Sequence, residues 1–244
     1  MRLLLFADGV IGEKIAHLLF EKFHQDLVLV VTTMENDIYH DAELNRIPVC
    51  VYDSEKKIIN RIIGDLDLGL LVWWPKILKN SSLLELPKRG FINTHPSLLP
   101  YNRGKHYNFW AIVEQAPFGV TLHRVDADVD TGDIIAQATI DYDWCDTGET
   151  LYKKAQVSML DLFIKTYPLL RIGMYNLIPQ DASLGSFHRA SELEDASKIE
   201  LDSSYSARTL LNLLRARTFE GYPGCWFEDN GSRYEISITI KKAR

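Results

Sequence analysis

An amide and an imidazole lie two residues apart in the stretch FINTHPSLLPYNRG, residues 91–104. Side chains alternate along a β-strand, so a strand FINTH would place Asn93 and His95 on the same face. Such a pair could donate a hydrogen bond and move a proton at one site. The carboxyl ends of strands border the ligand crevice of an open α/β sheet. For an isolated N-x-H pattern the alternative is structural: Asn93 caps a turn and His95 is a hydrogen-bonded core residue.

The residues that follow exclude regular structure. Pro96, Pro100 and Gly104 predict an extended, rigid segment that would hold a crevice wall without a helix.

A carboxylate that could complete this site is Asp130, in the loop DADVDTGDII, where Gly132 permits a sharp bend. The acidic run by itself is typical of a solvated turn or a Ca²⁺ loop. The D-x-D-x-D pattern leads directly into the strand DIIAQ, without the glutamate that a Ca²⁺ loop needs at its twelfth position. The three cysteines are widely spaced and form no CxxC pair. We therefore predict no metal site.

Composition bounds the class of protein. The 244 residues carry a net charge of -6, which disfavours the broad basic surface that nucleic-acid binding requires, although a compact anionic ligand remains possible. With 46% hydrophobic residues the chain can bury a sizeable core. The apolar run at the start is too short for a signal peptide or a membrane span. We expect a cytoplasmic protein without a membrane or nucleic-acid partner.

Continuous apolar runs predict a doubly wound, mostly parallel α/β sheet, because strands covered on both faces lack alternation. These runs are RLLLFA (2–7), DLVLVVTT (26–33), PVCVY (48–52) and DLGLLVWW (67–74). Two further strands, FGVTLHRVD (118–126) and DIIAQATIDY (133–142), are predicted on either side of the acidic loop. Asp146 and Glu149 resemble a capping box for a helix from about Thr147 to Tyr167.

The character of the chain changes after residue 177. Residues 178–204 are rich in Ser, Asp and Glu and predict an irregular connection with little buried surface. A short amphipathic helix and a hairpin around Asn230-Gly231 are predicted to follow. The expected organisation is a catalytic domain at 1–177, the connection at 178–204, and a small helix and β-hairpin module at 205–244.

Three separated motifs carry a family resemblance. N-x-H-P-S-L-L-P followed by R-G, then G-V-T-L-H, then D-T-G-D-I-I-A-Q resemble, in this order, the formyltransferases that use 10-formyltetrahydrofolate. The detailed match runs from about Phe91 to Gln137. The resemblance implies the formyltransferase fold and a catalytic trio of Asn93, His95 and Asp130.

The chemistry implied by the resemblance suits these side chains. A neutral amine attacks the formyl carbon and gives a tetrahedral species with a negative oxygen. Asn93 would donate a hydrogen bond to that oxygen, and His95 would stabilise it or relay the proton lost by the amine. Asp130 would orient the His95 ring and favour its charged form. No metal is required.

Two stretches resemble one branch of the family. PYNRGKHYNFWAI and LLRARTFEGYPGCWFEDNGSRYEI are similar to nucleotide-sugar N-formyltransferases, which implies a dTDP-linked amino-dideoxy sugar as acceptor, expected to be dTDP-4-amino-4,6-dideoxyglucose, and a role in surface glycan or O-antigen synthesis. A methionyl-tRNA or glycinamide ribonucleotide formyltransferase, and a non-catalytic nucleotide-sugar-binding protein, are the alternatives. A diphosphate favours basic partners and a pyrimidine favours an aromatic face. The expected acceptor-binding residues are Arg103, Lys105, His106, Phe219, Tyr222 and Trp226.

The folate co-substrate, 10-formyltetrahydrofolate, is expected to contact the stretches LVWWPKIL and DADVD. The predicted contacts are Trp73, Trp74, Ile77, Asp126 and Asp128, although both tryptophans would also suit a core. The C-terminal module, including Arg215, is expected to help bind the acceptor or to hold a homodimer. The alternation of Ile236, Ile238 and Ile240 favours a dimer through the hairpin.

Overall fold

The structure is a computed structural model and describes residues 1–243. Its strands are β1 (Leu3–Ala7), β2 (Leu27–Thr32), β3 (Val49–Val51), β4 (Leu68–Val72), β5 (Phe91–His95), β6 (Arg103–Gly104), β7 (Gly119–Arg124), β8 (Ile134–Thr139), β9 (Phe187–His188), β10 (Cys225–Asp229) and β11 (Ser232–Ile236). The helices are α1 (Gly9–Phe23), α2 (Asp37–Leu44), α3 (Glu55–Arg61), α4 (Ser81–Leu84), α5 (Tyr107–Glu114), α6 (Gly148–Ile172), α7 (Glu192–Ala196) and α8 (Ala207–Arg217). Short 3₁₀ turns lie at His24–Asp26 and Ala182–Leu184.

The large sheet has seven strands in the order β3-β2-β1-β4-β5-β7-β8. The first five are parallel, and β7 and β8 add antiparallel strands at one edge. The prediction of a mostly parallel α/β sheet is confirmed. The antiparallel edge matters for the site, because β7 runs back beside the carboxyl end of β5 and leads into the acidic loop.

Side chains of β1 alternate between the two cores of the sheet. Leu3 and Leu5 belong to the larger core, which α1 and α6 cover, and Leu4 and Phe6 belong to the smaller core under α3 and α4. All four side chains are fully buried. Burial on both faces explains why β1 reads as a continuous apolar run.

The start of α6 differs from the prediction. Thr147 is the N-cap and Thr150 completes the capping box, while Asp146 accepts hydrogen bonds from the Thr150 hydroxyl and from Lys154 instead. The expected pairing of Asp146 with Glu149 was therefore wrong. The helix also continues past Tyr167 to Ile172, with Leu170 fully buried against the core.

Residues 178–204 are more ordered than predicted. Strand β9 pairs in parallel with β6, helix α7 follows, and Ser197 and Ile199 are buried. Apart from Ser197 and Ile199, the residues of this segment whose burial the structure describes are half-buried or exposed. The addition to the prediction is the pairing of β9 with β6 some eighty residues earlier, which no local pattern reveals. The three-part division of the chain stays a prediction.

The C-terminal module contains the predicted helix and hairpin. Helix α8 buries Leu213 and Leu214, and β10 and β11 pair antiparallel around Asn230-Gly231, both with positive φ. Strand β11 ends at Ile236, so the predicted strand alternation does not extend to Ile238 and Ile240. In residues 1–243, no helix is both long and apolar enough to cross a membrane.

Candidate active site

The carboxyl end of β5 and the β7–β8 loop bring Asn93, His95 and Asp130 together. Asn93 and His95 share one face of β5, and Asp130 approaches both from the loop. Asn93 Nδ2 lies 3.3 Å from Asp130 Oδ1, and His95 Nδ1 lies 3.4 Å from Asp130 Oδ2. Asp130 has φ of 56°, a left-handed conformation that is uncommon outside glycine and concentrates at functional sites.

Burial sets the charge states of this cluster. Burial by itself raises the pKa of the Asp130 carboxyl, but His95, His123 and the Gly104 N–H together hold that pKa well below its ordinary value. Burial lowers the pKa of His95 and outweighs the opposing effect of Asp130. Asp130 thus acts on His95 in the predicted direction, yet at neutral pH the site holds an ionised Asp130 and a neutral His95.

A second histidine, His123 on β7, joins the cluster and was missed by the sequence analysis. It is 2% exposed and lies opposite Asn93 in the β5–β7 register. His123 Nδ1 donates to the Arg124 carbonyl at 2.8 Å. Its Nε2 lies 3.2 Å from Asn93 Nδ2, from which it accepts when it carries no hydrogen, and 3.6 Å from Asp130 Oδ1. The sequence feature that could have indicated His123 is its place at the end of G-V-T-L-H, where strand alternation puts it on the same face as Thr121.

Gly104 connects the loop after β5 to the acidic loop through a backbone hydrogen bond. Its N–H donates to Asp130 Oδ2 at 3.0 Å, and its φ is 89°. A Cβ at this position would lie 2.2 Å from the carbonyl oxygen of His188 in β9. The site therefore requires glycine here for two reasons, backbone conformation and close approach.

A cavity of about 620 Å³ opens over the cluster, and Asn93, His95, His123 and Asp130 form part of its wall. All five residues predicted to contact the folate also line it: Trp73, Trp74, Ile77, Asp126 and Asp128. The two tryptophans, Trp73 and Trp74, have different surroundings.

Trp74 is largely a core residue, packed edge-on against Phe6 and Tyr52 at centroid distances of 5.1 and 5.5 Å. Trp73 has a φ of 51°, and its N–H donates to the Thr94 hydroxyl at 3.1 Å. Trp73 is thus the tryptophan whose backbone is held in an unusual conformation at the cavity.

The residues predicted to bind the acceptor divide into three groups. Lys105 lines the cavity, and Arg103 and His106 flank it outside the lining. The ring centroid of Phe219 lies 5.6 Å from that of the lining residue Tyr152, and the ring centroid of Tyr222 lies 5.0 Å from that of Phe219. These three rings form an aromatic column that begins at the cavity.

The structure does not bring Trp226 to the cavity. Its ring lies near Lys198 and Arg233, and its Nε1 donates to the Glu194 carbonyl at 3.2 Å. Arg215 is also occupied elsewhere: it is 5% exposed and donates to the carbonyl of Asp146 at 2.8 Å. Trp226 thus packs on residues 194–198 and Arg215 on residues 143–146, and neither lines the cavity, which corrects the expectation that they contact the acceptor.

Residues 187–190 form a wall of the cavity that sequence reasoning missed. Phe187, His188, Arg189 and Ala190 all line it, and Arg189 adds a basic side chain to Lys76 and Lys105 in the lining. Tyr107 also lines the cavity, with its ring 5.9 Å from that of His95. Burial raises the pKa of the Tyr107 hydroxyl well above its ordinary value. Across residues 1–243 no group of His, Cys, Asp and Glu is arranged to hold a metal ion.

The fold and this site define an α/β protein with an amide, an imidazole and a carboxylate at the end of a parallel strand. Comparison with known families places it more narrowly. Residues 13–166 match the formyl transferase family, and residues 192–242 match the N-formyltransferase dimerization C-terminal domain. The chain belongs to the formyl transferase family.

Relatives within the family include sugar-modifying enzymes. The dTDP-4-amino-4,6-dideoxyglucose formyltransferase of Mycobacterium tuberculosis is 28% identical over 142 residues, 58% of this chain and 60% of that protein. The chain spans between 24% and 60% of the length of the curated relatives it matches.

Two solved structures extend the likeness. A 4-N formyltransferase from Francisella tularensis shares the fold, with a TM-score of 0.82 and 24% identity over 99% of this chain and 98% of that one. The formyltransferase PseJ from Anoxybacillus kamchatkensis has a TM-score of 0.59 and 27% identity over 80% of this chain and 89% of its own. Its structure contains UDP-4,6-dideoxy-4-formamido-L-AltNAc and tetrahydrofolate.

Proposed function

We propose that this protein transfers a formyl group from 10-formyltetrahydrofolate to the amino group of a dTDP-linked amino-dideoxy sugar, dTDP-4-amino-4,6-dideoxyglucose being the first candidate. The observation that carries the proposal is the Asp130 carboxylate, which is 11% exposed and lies within 3.4 Å of both Asn93 and His95 at the wall of the cavity. The names of the relatives support the sugar nucleotide as acceptor.

The reaction assigns a step to each side chain. The sugar amine attacks the formyl carbon, the carbonyl electron pair moves to oxygen, and the carbon–nitrogen bond to N10 of the folate then breaks. Neutral His95, with its Nδ1 hydrogen directed at Asp130, takes the proton that the amine loses on Nε2 and returns it from Nε2 to N10 as that nitrogen leaves; between the two transfers this hydrogen faces the Asn102 carbonyl. Asp130 stabilises the imidazolium that exists between these two transfers.

Asn93 must exchange a hydrogen bond to act as an oxyanion donor. Its amide nitrogen has two hydrogens, and two acceptors already face it, Asp130 Oδ1 at 3.3 Å and His123 Nε2 at 3.2 Å. Both contacts are long for a hydrogen bond, so a small rotation of the amide redirects one hydrogen to the formyl oxygen. Giving up the hydrogen bond to His123 would cost less free energy than giving up the one to Asp130, because hydrogen bonds to a charged acceptor are stronger.

The cavity has suitable surfaces for both substrates. We assign the folate to the side formed by Trp73, Ile77 and the acidic loop, where a flat ring system meets apolar side chains. We assign the diphosphate to Lys105 and Arg189, whose charges match it. The aromatic column that begins at Tyr152 would pack against the thymine. Homodimer formation through the C-terminal module is proposed from the match to a dimerization domain.

A substrate panel tests the proposal. The protein is incubated with 10-formyltetrahydrofolate and dTDP sugars aminated at the third or fourth carbon, a UDP-linked amino sugar, glycinamide ribonucleotide or methionyl-tRNA. Mass spectrometry then scores the gain of one formyl group. We expect formylation of the 4-amino dTDP sugar, and no product with an acceptor variant that lacks the amine. Turnover of tRNA alone would refute the acceptor, and sugar-nucleotide binding without any transfer would indicate a non-catalytic protein.

A further inference from the structure

The carboxylate of Glu114 connects the loop after β5 with residues 186–188. Glu114 is the last residue of α5, and its side chain is 31% exposed. Its Oε2 accepts hydrogen bonds from Asn102 Nδ2 and from the Ser186 hydroxyl, both at 2.8 Å. Its Oε1 lies 2.7 Å from His188 Nε2. One carboxylate thus contacts three side chains from two distant parts of the chain.

These contacts fix one peptide group beside His95. The N–H of Arg103 donates to the Ser186 carbonyl at 3.0 Å, and the Asn102 carbonyl at the other end of that peptide lies 3.4 Å from His95 Nε2. Asn102 is fully buried and has a φ of 51°, so its backbone conformation needs support from neighbours. Glu114 provides that support through the Asn102 side chain.

The helix dipole does not favour a carboxylate at this position. The carboxyl end of a helix carries the negative end of the helix dipole, where an acidic side chain is unfavourable by about 0.3–1 kcal/mol. Trp110, one turn earlier on α5, stacks on the His188 ring at 3.8 Å and would hold that ring without Glu114. The position of Glu114 is therefore best explained by the groups it orients.

We propose that Glu114 is a positioning residue, which holds the Asn102 carbonyl against Nε2 of His95 so that the imidazolium formed during proton transfer gains a hydrogen-bond acceptor. The catalytic consequence rests on the proposed formyl transfer. The two ring nitrogens of His95 face Asp130 and the Asn102 carbonyl. A neutral ring has a hydrogen for only one of them, whereas an imidazolium donates to both.

The groups around His95 change its pKa in both directions. Asp130 and the Asn102 carbonyl raise the pKa of His95, and burial, His123 and Lys105 lower it. Tyr107 faces the ring edge-on and stays un-ionised, because burial raises its pKa. Displacing the Asn102 carbonyl therefore lowers the pKa of His95 further, since one of the two groups that favour the charged form is lost.

The first test needs no substrate. The titration of His95 is followed by NMR in the wild type and in Glu114→Gln, with the His95 signal assigned from a His95→Gln spectrum. We expect the pKa of His95 to fall by about 0.5–1 in Glu114→Gln. The matched control is Glu192→Gln, which removes the same charge from the other side of His188, where Nδ1 lies 3.1 Å from Glu192 Oε2. An unchanged His95 in Glu114→Gln, or an equal change in the control, overturns the proposal.

The second test is kinetic. We expect kcat to fall about threefold to tenfold in Glu114→Gln, in proportion to the lost proton affinity of His95, with both KM values within about twofold. Asn102→Gly keeps the left-handed backbone accessible and leaves Glu114 charged. It should show the same loss, and the double variant should lose no more. Additive losses, or a rise in KM alone, contradict the proposal.

The two tests separate the two hypotheses. A wild type that transfers no formyl group refutes the proposed function, and the NMR comparison still decides the role of Glu114. Should Glu114→Gln prove unstable by thermal unfolding, Asn102→Gly supplies the same two readouts.

Discussion

Replacing Asp130 by Asn tests the centre of the site with little change in volume. The carboxylate accepts from Gly104 N at 3.0 Å and from Asn93 Nδ2 at 3.3 Å, and faces His95 Nδ1 at 3.4 Å. An amide in its place loses the charge and presents a hydrogen to at least one of these donors. We expect kcat for formyl transfer to fall at least about a hundredfold, because the imidazolium loses its counter-charge and general acid–base assistance is worth about a hundredfold to ten-thousandfold. Both KM values should change less than threefold.

The same substitution has a consequence for pH-dependent stability. The pKa of Asp130 is lower in the folded protein than its ordinary value, so the ionised carboxylate stabilises the fold above that ordinary value. This stabilisation is lost as the pH falls below about 4 toward the depressed folded-state pKa. The difference in Tm between wild type and Asp130→Asn should therefore be larger at pH 7 than at pH 3.

The assay combines steady-state formylation, measured by mass spectrometry, with thermal unfolding at both pH values. Asp133→Asn is the matched control, since Asp133 lies in the same β7–β8 loop but outside the cavity lining and the change has the same size and charge. We expect the control to keep kcat within about threefold. Near-native kcat in Asp130→Asn at saturating substrate, with only a weaker acceptor affinity, would show that the carboxylate belongs to a binding wall and not to the chemistry.

Three further substitutions have defined outcomes. Gly104→Ala should abolish turnover and lower Tm by several degrees, because its Cβ would lie 2.2 Å from the His188 carbonyl oxygen; a normal Tm by calorimetry would contradict this. His123→Ala should lower kcat about tenfold with the fold intact by circular dichroism, since Asn93 loses the acceptor that orients its amide; unchanged kcat argues against that role. Arg215→Met should cost about 2–3 kcal/mol in urea unfolding, as it leaves the buried Asp146 carbonyl and the part-buried Asp143 carbonyl without their charged donor, and should keep the KM values of the refolded enzyme.

Much of the fold could be predicted because its signals are local. The continuous apolar runs predicted β1 to β4 within two residues at each end, and Asn230-Gly231 marked the hairpin. Burial on both faces of a parallel sheet leaves such runs in any sequence that adopts it. Alternation along FINTH placed Asn93 and His95 on one face, because the side chains of a strand repeat their direction every two residues.

The local rules also failed at specific places. The capping box of α6 used Thr150 where the pattern suggested Glu149, because several polar side chains near a helix start can satisfy the same N–H groups. Strand β9 has only two residues and no apolar pattern of its own. It exists because β6 offers backbone groups to pair with, and that partner is remote in sequence.

The sequence by itself determined the class of sheet, the segments that form β1 to β4 and three of the residues at the site. The tertiary structure decided which other residues reach the cavity. His123 meets Asn93 because β7 runs antiparallel to β5, and Glu114 meets Asn102 and His188 because β9 returns to β6. Trp226 lies away from the cavity because its ring packs on residues 194–198. The physical reason is that periodicity fixes only which way a side chain points within its own element. Contacts between elements depend on loop closure and packing over tens of residues, which a local pattern does not encode.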